Sequence, residues 1–217
     1  MLSIKVSSLE SIRENPDSFG RVLGSGDIKV AGGSKGMFSC LVDSARLVHI
    51  GKLTIAQGIL DLQQKFTRFQ VTTQNILRQQ KLINQFRDYL LHYEKLGFEF
   101  YEGARRIDWD ITKNVKLTGL TPWVAINNDG FNSYVMSEKM FEWKHQLRFP
   151  LYQDFLINNI IGCELKEIRI GFYFLDINKF DFKTFTAKEL SIAVDETRKI
   201  FKAVFNGYES GKALTKK

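Results

Sequence analysis

Apolar residues along this chain follow two rhythms, a helical one up to about residue 96 and an extended one from residue 98, and the change between them organises the sequence. In TTQNILRQQKLINQFRDYLLHYEKLG, Ile76, Ile83, Phe86, Leu90 and Tyr93 share one helical stripe, and Gly97 stands where a helix ends in the left-handed region. The opposite face, with Arg78, Gln79, Lys81, Gln85 and Arg87, is polar and partly basic. At the start of the chain SIKV reads as a short strand, Ser7 and Glu10 form a capping box for LESIREN, and Pro16 blocks that helix from continuing. Beyond residue 98 the pattern predicts a strand around 105–111, a strand at WVAI, a hairpin turn at Asn128-Asp129-Gly130 and a returning strand in FNSYVMSEK. A helix follows from about Pro150, with Leu151, Phe155 and Ile161 inward and Gly162 ending it. In LKEIRIGFYFLD the alternation disappears, as in a strand covered on both faces. The last helix starts at the capping box Thr186–Glu189, buries Leu190, Val194, Phe201, Val204 and Phe205, and is expected to stop at Gly207, leaving 208–217 as a tail.

This order of elements predicts an α/β sandwich with one central mixed sheet, in one domain over residues 1–207. With 44% apolar residues in 217, the chain can bury a core of that kind. The net charge of +7 favours an anionic partner, although the 31 basic residues are spread along the chain and a mixed solvated surface accounts for them too. Cys40 and Cys163 lie far apart in apolar surroundings and read as small buried hydrophobes, which fits a reducing compartment. His49, His92 and His145 have no close Cys or His neighbours, so no zinc spacing is present. The glycine-rich stretch 24–36 lacks the Gly-Lys-Ser/Thr ending of a phosphate loop and reads as a loop. No apolar run is long enough for a signal peptide or a membrane span, so a cytoplasmic protein with no membrane partner is expected.

Four segments together carry a resemblance. VSSLESIRENPDSF, RRIDWDITKNVKLTGLTPWVAIN, SYVMSEK and LRFPLYQDFL follow one another as do the opening helix, the Gly-x-x-Asp strand, the acid-x-lysine strand and the glutamine-bearing helix of a nuclease core. In this the chain resembles the PD-(D/E)XK nuclease superfamily, in its RecB and lambda-exonuclease-like branch. The resemblance implies a restriction-endonuclease-like α/β/α sandwich with residues 38–97 as a helical insertion. It also implies metal-assisted phosphodiester hydrolysis, which needs carboxylates to hold one or two divalent ions and a cation to steady the phosphate.

Set on that pattern, the first acid position holds Pro122, and Met136, Ser137 and Glu138 stand where acid, any residue and lysine belong. Nearby residues offer displaced candidates. Glu138, Lys139 and Gln153 are catalytic candidates, and Asp110 with Glu138 could hold Mg or Mn if activity survives. Glu138 and Lys139 are adjacent, so on a regular strand they face opposite ways. Glu142-Trp143-Lys144 has the acid-x-lysine spacing but lies beyond the strand, Asp108 and Asp110 share a strand face, and His49 echoes an early histidine of the branch while also reading as a structural residue. Lys144, Arg148, Arg105 and Arg106 are candidates for nucleic-acid contact, with aromatic residues interleaved in MFEWKHQLRF. Three functions follow as expectations. The first is a degenerate nuclease fold without cofactor that binds nucleic acid, DNA before RNA, as an accessory to protein partners in DNA processing or in phage and mobile-element biology. The second is an active Mg- or Mn-dependent deoxyribonuclease with displaced ligands. The third is a module that binds proteins alone.

Overall fold

The structure, a computed structural model, describes residues 1–26 and 36–215. The strand β1 (Leu2–Lys5) passes through a 3-10 turn into α1 (Leu9–Glu14), and Pro16 opens α2 (Pro16–Ser25), where its missing N–H leaves no bond unmade. The helices α3 (Met37–His49), α4 (Ile55–Phe66) and α5 (Thr73–Lys95) follow. Then come β2 (Glu99–Glu102), β3 (Arg106–Trp109), β4 (Val115–Leu120), β5 (Trp123–Asn127) and β6 (Gly130–Ser137). The chain closes with α6 (Arg148–Leu156), β7 (Ile168–Phe174), β8 (Lys179–Lys183) and α7 (Ala187–Thr215). The protein is thus α/β with mixed sheets. The glycine-rich stretch lies outside the described residues except for its ends: Gly24 and Ser25 finish α2, Gly26 caps it at φ 80°, and Gly36 precedes α3.

Instead of one central sheet there are two, of order β1-β4-β3 and β2-β5-β6-β7-β8. The reason is a bend shared by two long strands. β2 and β3 form one arm of an antiparallel hairpin, β4 and β5 the other, and both arms break at the same level. Pro122 has no N–H to give to a ladder, so pairing cannot run through it. The bend is clasped by Thr121: its N–H donates to Arg105 O at 2.8 Å, and its hydroxyl, in place of a backbone carbonyl, accepts from Arg105 N–H at 2.9 Å. The turn after β5 forms at Asn128 and Asp129 as expected, and β6 then runs parallel to β7 through the α6 crossover. β2 and the edge strand β8 were not foreseen; KFDFK alternates Phe180 and Phe182 with charges and so reads as a polar segment.

The five-stranded sheet separates two cores. On one face Ala125, Tyr134, Met136, Tyr173 and Leu175 meet α3, α4 and α5; on the other, Val124, Ile168, Ile170, Phe172 and Phe174 meet α6 and α7. Every residue of β7 except Arg169 is buried, as its lost alternation implied. On α5, Phe86, Leu90 and Tyr93 are buried as expected, joined by Leu82 and Tyr89, whereas Ile76 in the first turn is exposed. The capping box of α7 forms, but that of α1 does not. A 3-10 turn already occupies Val6–Ser8, so Ser8 enters α1 in helical geometry and its side chain caps nothing.

The C-terminal helix corrects another expectation. α7 does not stop at Gly207, and residues 208–215 are helix and not tail. Gly207 and Gly211 lie against Asp17 and Arg21 of α2, while Gly20 and Gly24 of α2 lie against Val204 and Tyr208 of α7. Here glycine is a site of close approach between backbones and not a helix terminator. A Cβ at Gly207 would stand 2.2 Å from Asp17 O, and one at Gly20 2.1 Å from Val204 O. In an isolated helix Gly→Ala stabilises by about 1 kcal/mol. In this pair the sign should reverse: Gly20→Ala and Gly207→Ala should each lose about 1–3 kcal/mol in urea unfolding through overpacking. Unchanged or raised stability would mean that the two helices do not interlock.

Candidate functional site

The bend in the hairpin opens a cavity of ≈ 360 Å³ beside β6. On the β5 side, β6 is paired only as far as Tyr134, opposite Trp123, whereas on the β7 side its pairing continues to Ser137, opposite Phe174. Val135 and Met136 therefore border a gap that β4 leaves as it turns away toward β1. Thr121, Pro122 and Trp123 form the wall at the bend, Phe38 and Val42 of α3 approach from one layer, and Tyr152 of α6 approaches from the other. Pro122 and Met136, the residues at the two acid positions of the resemblance, thus face one cavity. Among the described residues that line it, the side-chain oxygens belong to Thr121, Tyr134 and Tyr152, and none is a carboxylate.

Tyrosine hydroxyls without carboxylates are a poor donor set for Mg or Mn, which take carboxylate and water oxygens. Among the described residues no group of three or more His, Cys, Asp or Glu is arranged to hold a metal ion. The acidic candidates are engaged elsewhere or stand apart. Both oxygens of Glu138 accept from Arg78 Nη2 on α5, at 2.8 and 3.0 Å. Asp110 is exposed just past the end of β3, and the arm of β4 and β5 lies between β3 and β6. Asp108 pairs with Lys116 at 2.7 Å and with Arg106 at 3.8 Å, so its carboxyl is held below the usual range, first by the Lys116 hydrogen bond. Glu142 is exposed in the loop after β6. Thus Asp110 and Glu138 are not brought together with each other or with the cavity.

The remaining candidates divide into structural groups and surface cations. Gln153 is fully buried, and its side-chain amide makes both backbone bonds of Phe185: Nε2 donates to Phe185 O and Oε1 accepts from Phe185 N, each at 2.9 Å. It pins the segment before α7 onto α6. Lys144 pairs with Asp181 of β8 at 3.0 Å, and the indole N–H of Trp143 donates to the same carboxylate at 2.8 Å. Arg105 pairs with Glu102 at 2.7 Å and Arg106 is mostly exposed. Arg148 lies with its guanidinium carbon 5.0 Å from the Phe149 ring centre, and Lys139 is exposed. Among the described residues neither side chain is in an ion pair, but Arg148 Nε donates to Gln146 Oε1 at 2.9 Å and its backbone N–H to Glu10 Oε1 at 3.4 Å.

His49 anchors a cluster that the sequence reading did not anticipate. Its Nε2 is 2.6 Å from Tyr89 Oη, and Tyr89 Oη is 2.6 Å from Tyr134 Oη, so a hydrogen-bonded chain leads from α3 through α5 to the cavity wall. Trp123 and Phe100 pack on the imidazole. Burial lowers the His49 pKa to about 4 and pushes both phenols well up, so the chain is neutral at pH 7. Tyr134 and Met136 could have been linked in advance, since alternation puts them on one strand face. Tyr152 carried no such signal, because its place depends on how α6 crosses the sheet. No protein-family model matches this sequence, and no curated protein matches it either.

Two stability measurements follow. His49 binds a proton near pH 6.5 when unfolded but only near pH 4 when folded, so its contribution is full above pH 7 and disappears as pH falls from 6.5 to 4. About 3 kcal/mol should be lost over that window, at 1.36 kcal/mol per pKa unit. His49→Phe should flatten the decline, and an equally steep profile in the variant would assign it to other groups. Gln153→Met keeps the volume but leaves the Phe185 N–H and C=O unpaired, and should cost about 2–4 kcal/mol in denaturant unfolding. A variant as stable as the wild type would release Gln153 from its structural role.

Proposed function

We propose that this chain has a restriction-endonuclease-like fold of the PD-(D/E)XK type, degenerate at its metal site and retained for binding nucleic acid. In this reading it acts as an accessory to DNA processing, in a phage, mobile-element or host setting. The order of elements supports it: an antiparallel meander of β3, β4–β5 and β6, then the α6 crossover to a parallel β7. The observation that carries the reading is the pairing of Pro122 with Met136 across one apolar cavity. Hydrolysis by this class of enzyme needs carboxylates at those two positions to hold the metal. A proline and a thioether there cannot do so, and this supports the reading of a degenerate site. The neighbouring cations have kept a use, because phosphate contacts require only positive charge near the backbone. A net charge of +7, with Lys139 and Arg148 in no side-chain ion pair among the described residues, fits that use.

The test is to incubate the protein with labelled single- and double-stranded DNA in magnesium and in manganese, beside Asp110→Asn and Glu138→Gln. The expected outcome is no cleavage under either metal, with DNA retained at 50 mM salt. Affinity should fall on the order of tenfold by 200 mM salt, as counterions reoccupy a few phosphates. Cleavage by the wild type that both variants lose would establish instead an active nuclease with displaced ligands. Retention that is absent at every salt concentration would leave a protein-binding module.

A further inference from the structure

The cavity at the bend has walls that suit something more specific than a phosphate backbone. Its lining is largely apolar and aromatic, with Trp123, Tyr134, Phe38 and Tyr152 contributing rings. At ≈ 360 Å³ it lies at the small end of ligand-binding cavities, enough for one ring system and its sugar. Two polar groups interrupt the apolar wall. Tyr152 is 6% exposed and its hydroxyl has no hydrogen-bond partner among the described residues. Thr121 is 3% exposed, and its oxygen accepts from Arg105 N–H, while its own proton has no acceptor among them. Both hydroxyls keep hydrogen-bonding capacity that a ligand entering the cavity can use. Outside the cavity, Lys139 lies three residues beyond Met136, and Arg148 lies one helical turn before Tyr152, near enough to act on its phenol electrostatically. The chemistry is therefore layered: rings and two hydroxyls inside, unneutralised cations nearby.

We propose that the cavity takes one unpaired nucleobase of a single strand, stacked among the Trp123, Tyr152 and Phe38 rings and hydrogen-bonded along its edge by Thr121 and Tyr152. Lys139 and Arg148 hold the adjoining phosphates. This rests on the reading of the chain as a nucleic-acid binder and names what the emptied metal site binds. Aromatic stacking is tolerant of base identity, so little sequence preference is expected beyond what the two hydroxyls impose. The arrangement also excludes a paired base, because a base must leave its stack to enter a cavity.

The test uses a fluorescein-labelled oligothymidylate 12-mer and an abasic 12-mer with the same phosphates, titrated by anisotropy at low salt. Ala104→Trp is the blocking variant: Ala104 lies at the cavity but is exposed, in the segment between β2 and β3, so an indole can cover the opening without disturbing either core. An unchanged melting temperature checks its fold. The wild type should bind the oligothymidylate about tenfold or more tightly than the abasic strand, as expected for a stacked base. Ala104→Trp should bring the oligothymidylate down to the abasic affinity and leave the abasic strand unaffected. Equal binding of the two strands by the wild type would overturn the base site while leaving nucleic-acid binding intact. A preference that survives in Ala104→Trp would put the base elsewhere and overturn the proposal as well. Binding of neither strand would remove the functional reading, and this inference with it.

Discussion

The bend at Thr121–Pro122 is the constraint on which the rest of this molecule depends. A proline in mid-hairpin denies the ladder one donor, and the clasp between Thr121 and Arg105 turns that loss into a fixed corner. The corner sends one half of the hairpin to pair with β1 and the other half to pair with β6. It thereby removes from β6 the neighbour that would otherwise have covered Val135 and Met136. The cavity is a consequence of that missing strand, so any residue substituted at Pro122 acts on both the sheet and the site. An aspartate there would restore an N–H to the chain as well as a carboxylate to the cavity, and the two effects could not be separated by one substitution.

A second constraint closes the structure at its ends. The α2 and α7 helices approach until backbone meets backbone at Gly20, Gly24, Gly207 and Gly211. Such proximity maximises dispersion contacts per unit length and excludes side chains from the seam. It joins the beginning of the chain to its last helix around the core that holds Leu9, Ile12, Phe201 and Val204. The other core, under α3 to α5, sets a web of rings around His49, Tyr89 and Tyr134 beside Leu41, Leu62 and Leu82. Both layers pack rings, and the second adds a buried polar thread. The histidine His49 lies in the second, so protonation on acidification acts on that core.

Local chemistry explains which parts were legible beforehand. Asn128-Asp129-Gly130, the box at Thr186 and Glu189, and the buried run of β7 each declare themselves within a few residues, and the turn, cap and strand are where they were expected. Gly207 misled because glycine has two uses, ending helices and admitting a neighbour, and only the partner helix tells them apart. The split into two sheets was invisible for a related reason: Pro122 was read as punctuation, while the bend it makes needs Arg105, seventeen residues earlier in the chain, to hold it. The cavity could not be read at all, since it is defined by an absent pairing partner. Of the candidate residues, Gln153 and Lys144 answered to nearby backbone and carboxylate groups that no spacing rule reveals.

Electrostatics give the last argument about what this face of the protein can do. Where an acid and a base lie close here, they neutralise each other: Glu138 with Arg78, Asp181 with Lys144, Asp108 with Lys116. Exposed pairs of this kind contribute little to stability, roughly 0–1 kcal/mol each. Their larger effect is on the field. A carboxylate committed to an arginine presents little attraction to a divalent ion, and the same pairing lowers its repulsion toward a phosphate. Glu138 is the acid nearest in sequence to the Met136 position, and Arg78 draws it toward α5. Lys139 stands exposed with no ion-pair partner among the described residues, while the Glu10 carboxylate accepts from the backbone N–H of Arg148 at 3.4 Å. Pro122 and Met136 offer the cavity no carboxylate, and the Arg78–Glu138 pair holds the acid nearest in sequence to Met136 against α5. In the reading proposed above, this face favours a polyanion over a divalent cation, with an apolar recess at its centre.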